Sequence, residues 1–400
     1  MSEGEETLTN RNFTKLIGFL FLLALFSGVI LAQNVLVVTP KPKVKTAPKT
    51  TAKTDECDEK AAETQPSTTN DSRFQIPDSR FQTETPPTPQ IFPPAPMPTW
   101  DDGKKVVNED DVPVEKFIAA DANVNINLCV SNGIIRINGW EREEVRVFVS
   151  GGSKAGFRVG QINKKSNKPA SLTVLGYDPK KDKGSDLSAC LFGDEIELDV
   201  PVGARINKLK GGETTITINH VAKVLVFNEN GDISLNGIEE GVVATTYEGD
   251  ISVENSSGAM TLETTNGNIF AYKTEPLEAG DALTAKTNGG SVILQAVNHS
   301  VVSARSISSW IRFTGEIQPG GQYRFENTSG QILLGIPKDS NCVIEVISHK
   351  DRFIFDVPLK ITSENVYPPS MKKVVGTVGN GEANINLVNQ TGRIWLKKIN

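Results

Sequence analysis

The sequence predicts an all-β fold, an elongated stack of short strands of the β-solenoid or β-helix kind, and three observations carry that prediction. First, Gly231-Asp232-Ile233-Ser234 returns as Gly249-Asp250-Ile251-Ser252, 18 residues on. Second, beyond residue 112 apolar and polar residues alternate with the period of two that puts every other side chain on one face of a strand. Third, Gly, Asn, Ser and Thr punctuate the alternating runs, as tight corners require, and no later segment carries a helical period.

The N-terminal elements differ from this pattern. Residues 1–15 are a polar tail. An uncharged run follows from Leu16 to Val38, containing LIGFLFLLALFSGVILA, and is long enough for a helix to cross a bilayer. Two readings of residues 16–38 stand: an uncleaved transmembrane anchor, or a signal segment cut after Ala32, against which Ile30 is a poor small residue. Lys41, Lys43, Lys45, Lys49 and Lys53 follow the run and outnumber Arg11 and Lys15 before it. The positive-inside rule taken alone would keep the C-terminal part in the cytoplasm, whereas the remaining features favour export.

Residues 39–112 read as a disordered linker rich in Pro, Lys and Thr. More than half of the 22 prolines lie between Pro40 and Pro98, and PKPKVKTAPKTTAK favours an extended, self-repelling chain. DSRFQIP at 71–77 is repeated as DSRFQTE at 78–84, a short duplication that needs no function. Stretched at about 3.1 Å per residue, most of this linker would reach on the order of 190 Å.

The β-repeat domain occupies 113–400, with an irregular first part at 113–205 and regular coils at 206–400. EEVRVFVS, ASLTVLGY and DEIELDVPVGARI read as strands of the first part. The regular coils align as KVLVFNENGDISL, VVATTYEGDISV, AMTLETTNGNIFA, ALTAKTNGGSVIL, VVSARSISSWIRF and QYRFENTSGQILL. Their corners fall at Gly231, Gly249, Gly267, Gly290, Ser309 and Gly330. NINLCVSNGIIRI at 125 and NINLVNQTGRIWL at 384 repeat the word again, the latter with its corner at Gly392. In each x-Ile-x-Leu unit the apolar pair shares one face, which a repeat of this size cannot bury alone. Glycine at the corner is expected to supply a positive φ. The competing architecture is an antiparallel, hairpin-built sandwich, because Asn-Gly between alternating strands is also a hairpin signal.

DVPVGARI, the run NGDISL, EGDISV and NGNI, and the closing GNGEANINLVNQTGRI together resemble the bacterial envelope family known as "putative adhesin" domains, of unknown function, over about residues 114–400. The resemblance implies export and a structural or binding role, and brings no catalytic residues.

The residues themselves point away from most chemistry. A net charge of −6 offers no clustered basic surface for nucleic acid. Cys57, Cys129, Cys190 and Cys342 lack metal-ligand spacing; a Cys129–Cys190 disulfide is open to an exported domain, and Cys342 shares phase with Ile344 and Val346 as a buried thiol. His220, His299 and His349 have no partner at ligand spacing. Asp232 and Asp250 stack as an acidic pair, but the calcium β-roll pattern is missing. Ser370-Met371-Lys372-Lys373 satisfies Ser-x-x-Lys without its companion motifs. Trp310 and Trp395, if outward, offer stacking faces for a sugar.

The expected function is therefore a non-enzymatic cell-envelope protein, a β-repeat domain with an adhesion, scaffolding or binding role. It would be tethered to the membrane through residues 16–38 or secreted after signal cleavage, and in either case lie outside the cytoplasm. Envelope glycan or protein is the expected partner, with no cofactor, no metal and no nucleic acid; the oligomeric state is open. The alternatives are a polysaccharide-acting enzyme on a β-helix scaffold and a membrane-bound regulatory or sensor module.

Overall fold

A computed structural model describes residues 113–177, 190–349, 352–367 and 370–399. The apolar segment 16–38, the linker and Cys57 lie outside them. Every regular element among the described residues is a strand, 25 in all. No helix there is long and apolar enough to cross a membrane.

Two strands and two corners make one coil, and each strand pairs in parallel with its counterpart one coil away. On one side of the column, face A, Val224 aligns with Val242, then Met260, Leu283, Val302 and Tyr323. On the other, face B, Ile233 aligns with Ile251, then Ile269, Val292, Ile311 and Ile332. The parallel pairing removes the hairpin sandwich. Antiparallel hairpins would pair neighbours in sequence, whereas from Lys223 to Pro337 each strand pairs with the next but one.

The core lies between the two faces. Each coil sends two apolar side chains inward from each strand, for example Val242 and Ala244 with Ile251 and Val253, all at most 1% exposed. Burial of a residue of Leu or Ile size contributes about 1.5–3 kcal/mol, which a single coil cannot collect without neighbours above and below. Side-chain volume is balanced within a coil. Phe313 shares its coil with small Ala304 and packs on Phe325, ring centroids 5.2 Å apart.

Spatial order departs from chain order at both ends. The coil at 383–399 sits between 322–337 and 342–356, pairing in parallel with both. Likewise the bent strand Asn125–Trp140 lies between 171–201 and Arg205–Asn219. The two copies of Asn-Ile-Asn-Leu are thus interior coils, not the ends of the stack.

Beyond them the pairing turns antiparallel. Met371–Val378 runs against Cys342–His349, and Lys360–Tyr367 against Met371–Val378. At the opposite end Glu144–Ser150 runs against Leu191–Pro201, and Val114–Ala119 against Glu144–Ser150. The outer strands Cys342–His349 and Leu191–Pro201 are therefore covered by antiparallel partners, which protects those edges from further pairing. Phe353–Asp356, by contrast, pairs only with Ile394–Ile399 among the described residues.

Cys129 and Cys190 form a disulfide with Cα atoms 4.6 Å apart. It joins two adjacent coils at the register shift between Val130 and Asn132, where the ladder is irregular. Reduction is expected to cost about 2–4 kcal/mol, the usual range for closing a long loop. The check is the urea midpoint with and without reductant. The midpoint of a Cys129→Ser/Cys190→Ser chain should ignore reductant, because the remaining described cysteine, Cys342, is buried with its thiol pushed up to about 11.

Candidate functional site

The corner glycines are positioned by close stacking. A Cβ on Gly249 would stand 2.3 Å from the Gly231 carbonyl oxygen, and one on Gly392 would stand 1.5 Å from that of Gly330. Positive φ, expected at every corner, holds at Gly231, Gly249 and Gly267 but not at Gly290, Gly330 and Gly392. At those three it is the neighbouring coil's backbone that excludes a side chain.

Three residues before each corner a buried polar side chain points inward and holds the corner below. The Oγ1 of Thr264 donates to the Gly249 carbonyl at 3.0 Å, that of Thr287 to Gly267 at 2.8 Å, and the Oγ of Ser306 to Gly290 at 2.8 Å. Asn389 Nδ2 donates to the Gly330 carbonyl at 2.9 Å, while its Oδ1 accepts from Gly392 N–H at 2.9 Å. Outside the same corner, Asp232 Oδ1 accepts from Asp250 N–H at 2.8 Å, and Asp250 Oδ1 from Asn268 N–H at 2.7 Å. The stacked aspartates thus cap backbone groups. Among the described residues no cluster of three His, Cys, Asp or Glu side chains could hold a metal.

The other sequence candidates are spread apart. Lys373 of the Ser-x-x-Lys match lies on a strand and pairs with Glu345 at 2.8 Å. His220 lies at φ 55°, level with Gly237, Asn255, Lys273 and Ala296 on successive coils, all at positive φ. These left-handed positions line a polar trough of about 520 Å³ along the second corner, whose rim includes Glu239, Glu275 and Asn298. Every rung there is used to turn the chain, and no nucleophile meets a base.

His299 is fully buried. Its Nε2 donates to the Gly258 carbonyl at 3.0 Å, and its Nδ1 has no partner. Burial holds the imidazole below its usual range, against the opposing pull of the Gly258 carbonyl, Asp281 and Glu275. The unfolded chain therefore binds the proton more readily than the folded one. Stability contributed at neutral pH should fall as pH drops through about 6.5, the value of a free histidine, towards the lower folded value. Urea midpoints between pH 7.5 and 5 check this, and His299→Gln should flatten that part of the profile.

Among the described residues, face B carries an extended surface that combines aromatic, aliphatic and cationic side chains; face A also exposes Leu225, Phe227, Val243 and Tyr247. Its outward row runs Ser252, Phe270, Ile293, Arg312, Leu333, Trp395 and Ile354, one residue per coil. Two residues earlier along the same strands, Trp310, Gln331, Arg393 and Arg352 form a parallel row, tied by backbone bonds from Ile311 to Gln331, Ile332 to Arg393 and Ile394 to Arg352. Trp310 is 60% exposed, Ile354 51% and Trp395 45%. The sequence suggested the two tryptophans; the register adds Phe270, Arg312, Leu333 and Ile354. On face A, by contrast, Lys286 pairs with Glu263 and Arg324 with Glu326.

No family model matches the chain, and no curated protein matches it either. Solved structures do. A "putative adhesin" from Parabacteroides distasonis aligns over 72% of this chain and 98% of its own, with 10% identity and a TM-score of 0.35. A second, from Bacteroides fragilis, covers 72% and 97% at 12% identity with a TM-score of 0.29. A "putative cell adhesion protein" from Clostridium sporogenes covers 72% and 100% at 12% identity with a TM-score of 0.23. These similar structures are bacterial proteins named for adhesion. At such identities and TM-scores the likeness carries no residue, ligand or role across to this chain.

Proposed function

We propose that this chain is a non-enzymatic binding module of the cell envelope, a rigid β-solenoid that presents face B to its partner. The observation that carries the reading is the outward double row on face B, in which aromatic and aliphatic side chains stand on consecutive coils beside exposed cations. A contiguous exposed patch of this kind marks an interaction surface. The Cys129–Cys190 disulfide supports export, because cytosolic reductants keep thiols reduced. Residues 16–38 supply the anchor or signal and 39–112 the spacer, which puts the column outside the cytoplasm despite the lysines at 41–53.

Two measurements on the whole chain test this. External protease added to intact cells should degrade the β domain, a result that a cytoplasmic regulatory module would not give. Isolated envelope material should co-sediment with the detergent-solubilised chain without release of reducing ends, which separates a binding module from a polysaccharide-cleaving enzyme. Protection from protease, or steady release of reducing ends, overturns the reading.

A further inference from the structure

We infer that face B binds an anionic, carboxylate-bearing polysaccharide laid along the column axis; the inference rests on the envelope-binding reading and names the partner's chemistry. Three features of the surface specify it.

The first is spacing. Parallel strands repeat at about 4.8 Å, so each coil advances by roughly the length of one pyranose ring. Trp310 and Trp395 stand on coils two steps apart, about 10 Å along the axis, comparable to a disaccharide unit of an extended chain. Both rings are exposed, and the apolar faces of sugar rings stack on such surfaces. Phe270, Ile293, Leu333 and Ile354 extend the same track across the intervening and flanking coils.

The second is charge. Arg312 interrupts the apolar row, Arg393 and Arg352 continue the Trp310 row, and Lys397 lies two residues beyond Trp395. All four are exposed, and among the described residues none makes an ion pair, although Asp356 stands in register beside Lys397 on the adjacent coil. The Arg352 guanidinium donates to the Thr391 carbonyl, at 3.1 Å. A chain of net charge −6 thus keeps Arg312, Arg393 and Arg352 exposed along one aromatic face. Guanidinium groups bind carboxylates through two parallel hydrogen bonds, a geometry that a uronic acid offers once per residue.

The third is what the track disfavours. A second copy seated with its cationic end on this one would bring Arg312, Arg393 and Lys397 together and desolvate like charges. A neutral glucan would leave the cations unanswered. The aspartates of the same corner, Asp232 and Asp250, lie several coils away towards the other end, so the track has a cationic and an acidic end.

The test is affinity electrophoresis and calorimetry of the detergent-solubilised full chain with polygalacturonate, against dextran, phosphatidylglycerol vesicles and a single-stranded oligonucleotide. The expected result is binding to polygalacturonate that weakens with salt, and none to dextran. Trp395→Ala and Trp310→Ala should each lower affinity on the order of 10-fold, equivalent to losing one stacking contact. Arg312→Gln should weaken binding and make it less salt-dependent, and Lys286→Gln on face A should change neither. Circular dichroism of each variant confirms that these surface changes leave the fold intact. Polygalacturonate binding that ignores the tryptophan and Arg312 changes overturns the inference, as does preference for vesicles or oligonucleotide. If envelope material binds while every acidic glycan fails, the ligand class falls and the binding-module reading stands. If nothing binds, both fall.

Discussion

Gly249→Ala is expected to destabilise the column by about 4–5 kcal/mol, at the far end of what a single substitution does. Two costs add. At φ +138° an L-residue is strained, by about 1–3 kcal/mol. The new methyl would also stand 2.3 Å from the Gly231 carbonyl oxygen and 2.5 Å from its carbon. That carbonyl cannot retreat easily, because Asn228 Nδ2 and Thr246 Oγ1 both donate to it, at 3.0 and 3.3 Å. Gly280→Ala separates the two costs. Gly280 has φ +96° but nothing within 4 Å of the added atom, so it should lose only the backbone share, about 1–2 kcal/mol. Urea unfolding of both variants decides the matter. Equal losses would mean that the stacked corners can spread apart at little cost.

Asn389→Leu should cost about 3–5 kcal/mol, although the new side chain is similar in size and more apolar. Asn389 is fully buried and closes three hydrogen bonds: from its Nδ2 to the carbonyls of Gly330 at 2.9 Å and Arg393 at 3.3 Å, and from Gly392 N–H to its Oδ1 at 2.9 Å. Leucine leaves those backbone groups unpaired away from water, at about 1–3 kcal/mol each before relaxation. Thr264→Val, which removes a single bond to Gly249, should cost only about 1 kcal/mol. Denaturant midpoints compare the two, and amide exchange at Gly392 should rise steeply in Asn389→Leu. A loss no larger than that of Thr264→Val would show that the asparagine fills space and little more.

The repeat itself was legible in the chain. Ile233, Ile251 and Ile269 recur at equal steps with an apolar residue two positions behind each, and period two leaves such pairs only one face to share. The corner residues were legible as glycines for a partly mistaken reason. Positive φ accounts for Gly249, whereas Gly392 is forced by the approach of Gly330, a contact between residues 62 positions apart that no local rule can report. The sugar-stacking role considered for Trp310 and Trp395 rested on their phase alone. Arg312 and Leu333 share the place of Trp395 after their corners in the aligned repeats, whereas Ile354 stayed hidden because its coil carries no repeat word and follows 383–399 out of chain order.

Alternation, corner chemistry and self-similarity are local properties, so the amino-acid sequence alone determined that this protein is built of repeated short strands with apolar pairs on one face. The choice of parallel coils over a hairpin sandwich came from the observed register. Which coil lies on which is a competition among surfaces of nearly equal greasiness, settled by the best simultaneous fit of both neighbours. Only the tertiary structure decided that 383–399 slips between 322–337 and 342–356. That insertion brings Trp395 level with Leu333 and Ile354, and so assembles the binding face from residues that the chain itself keeps far apart.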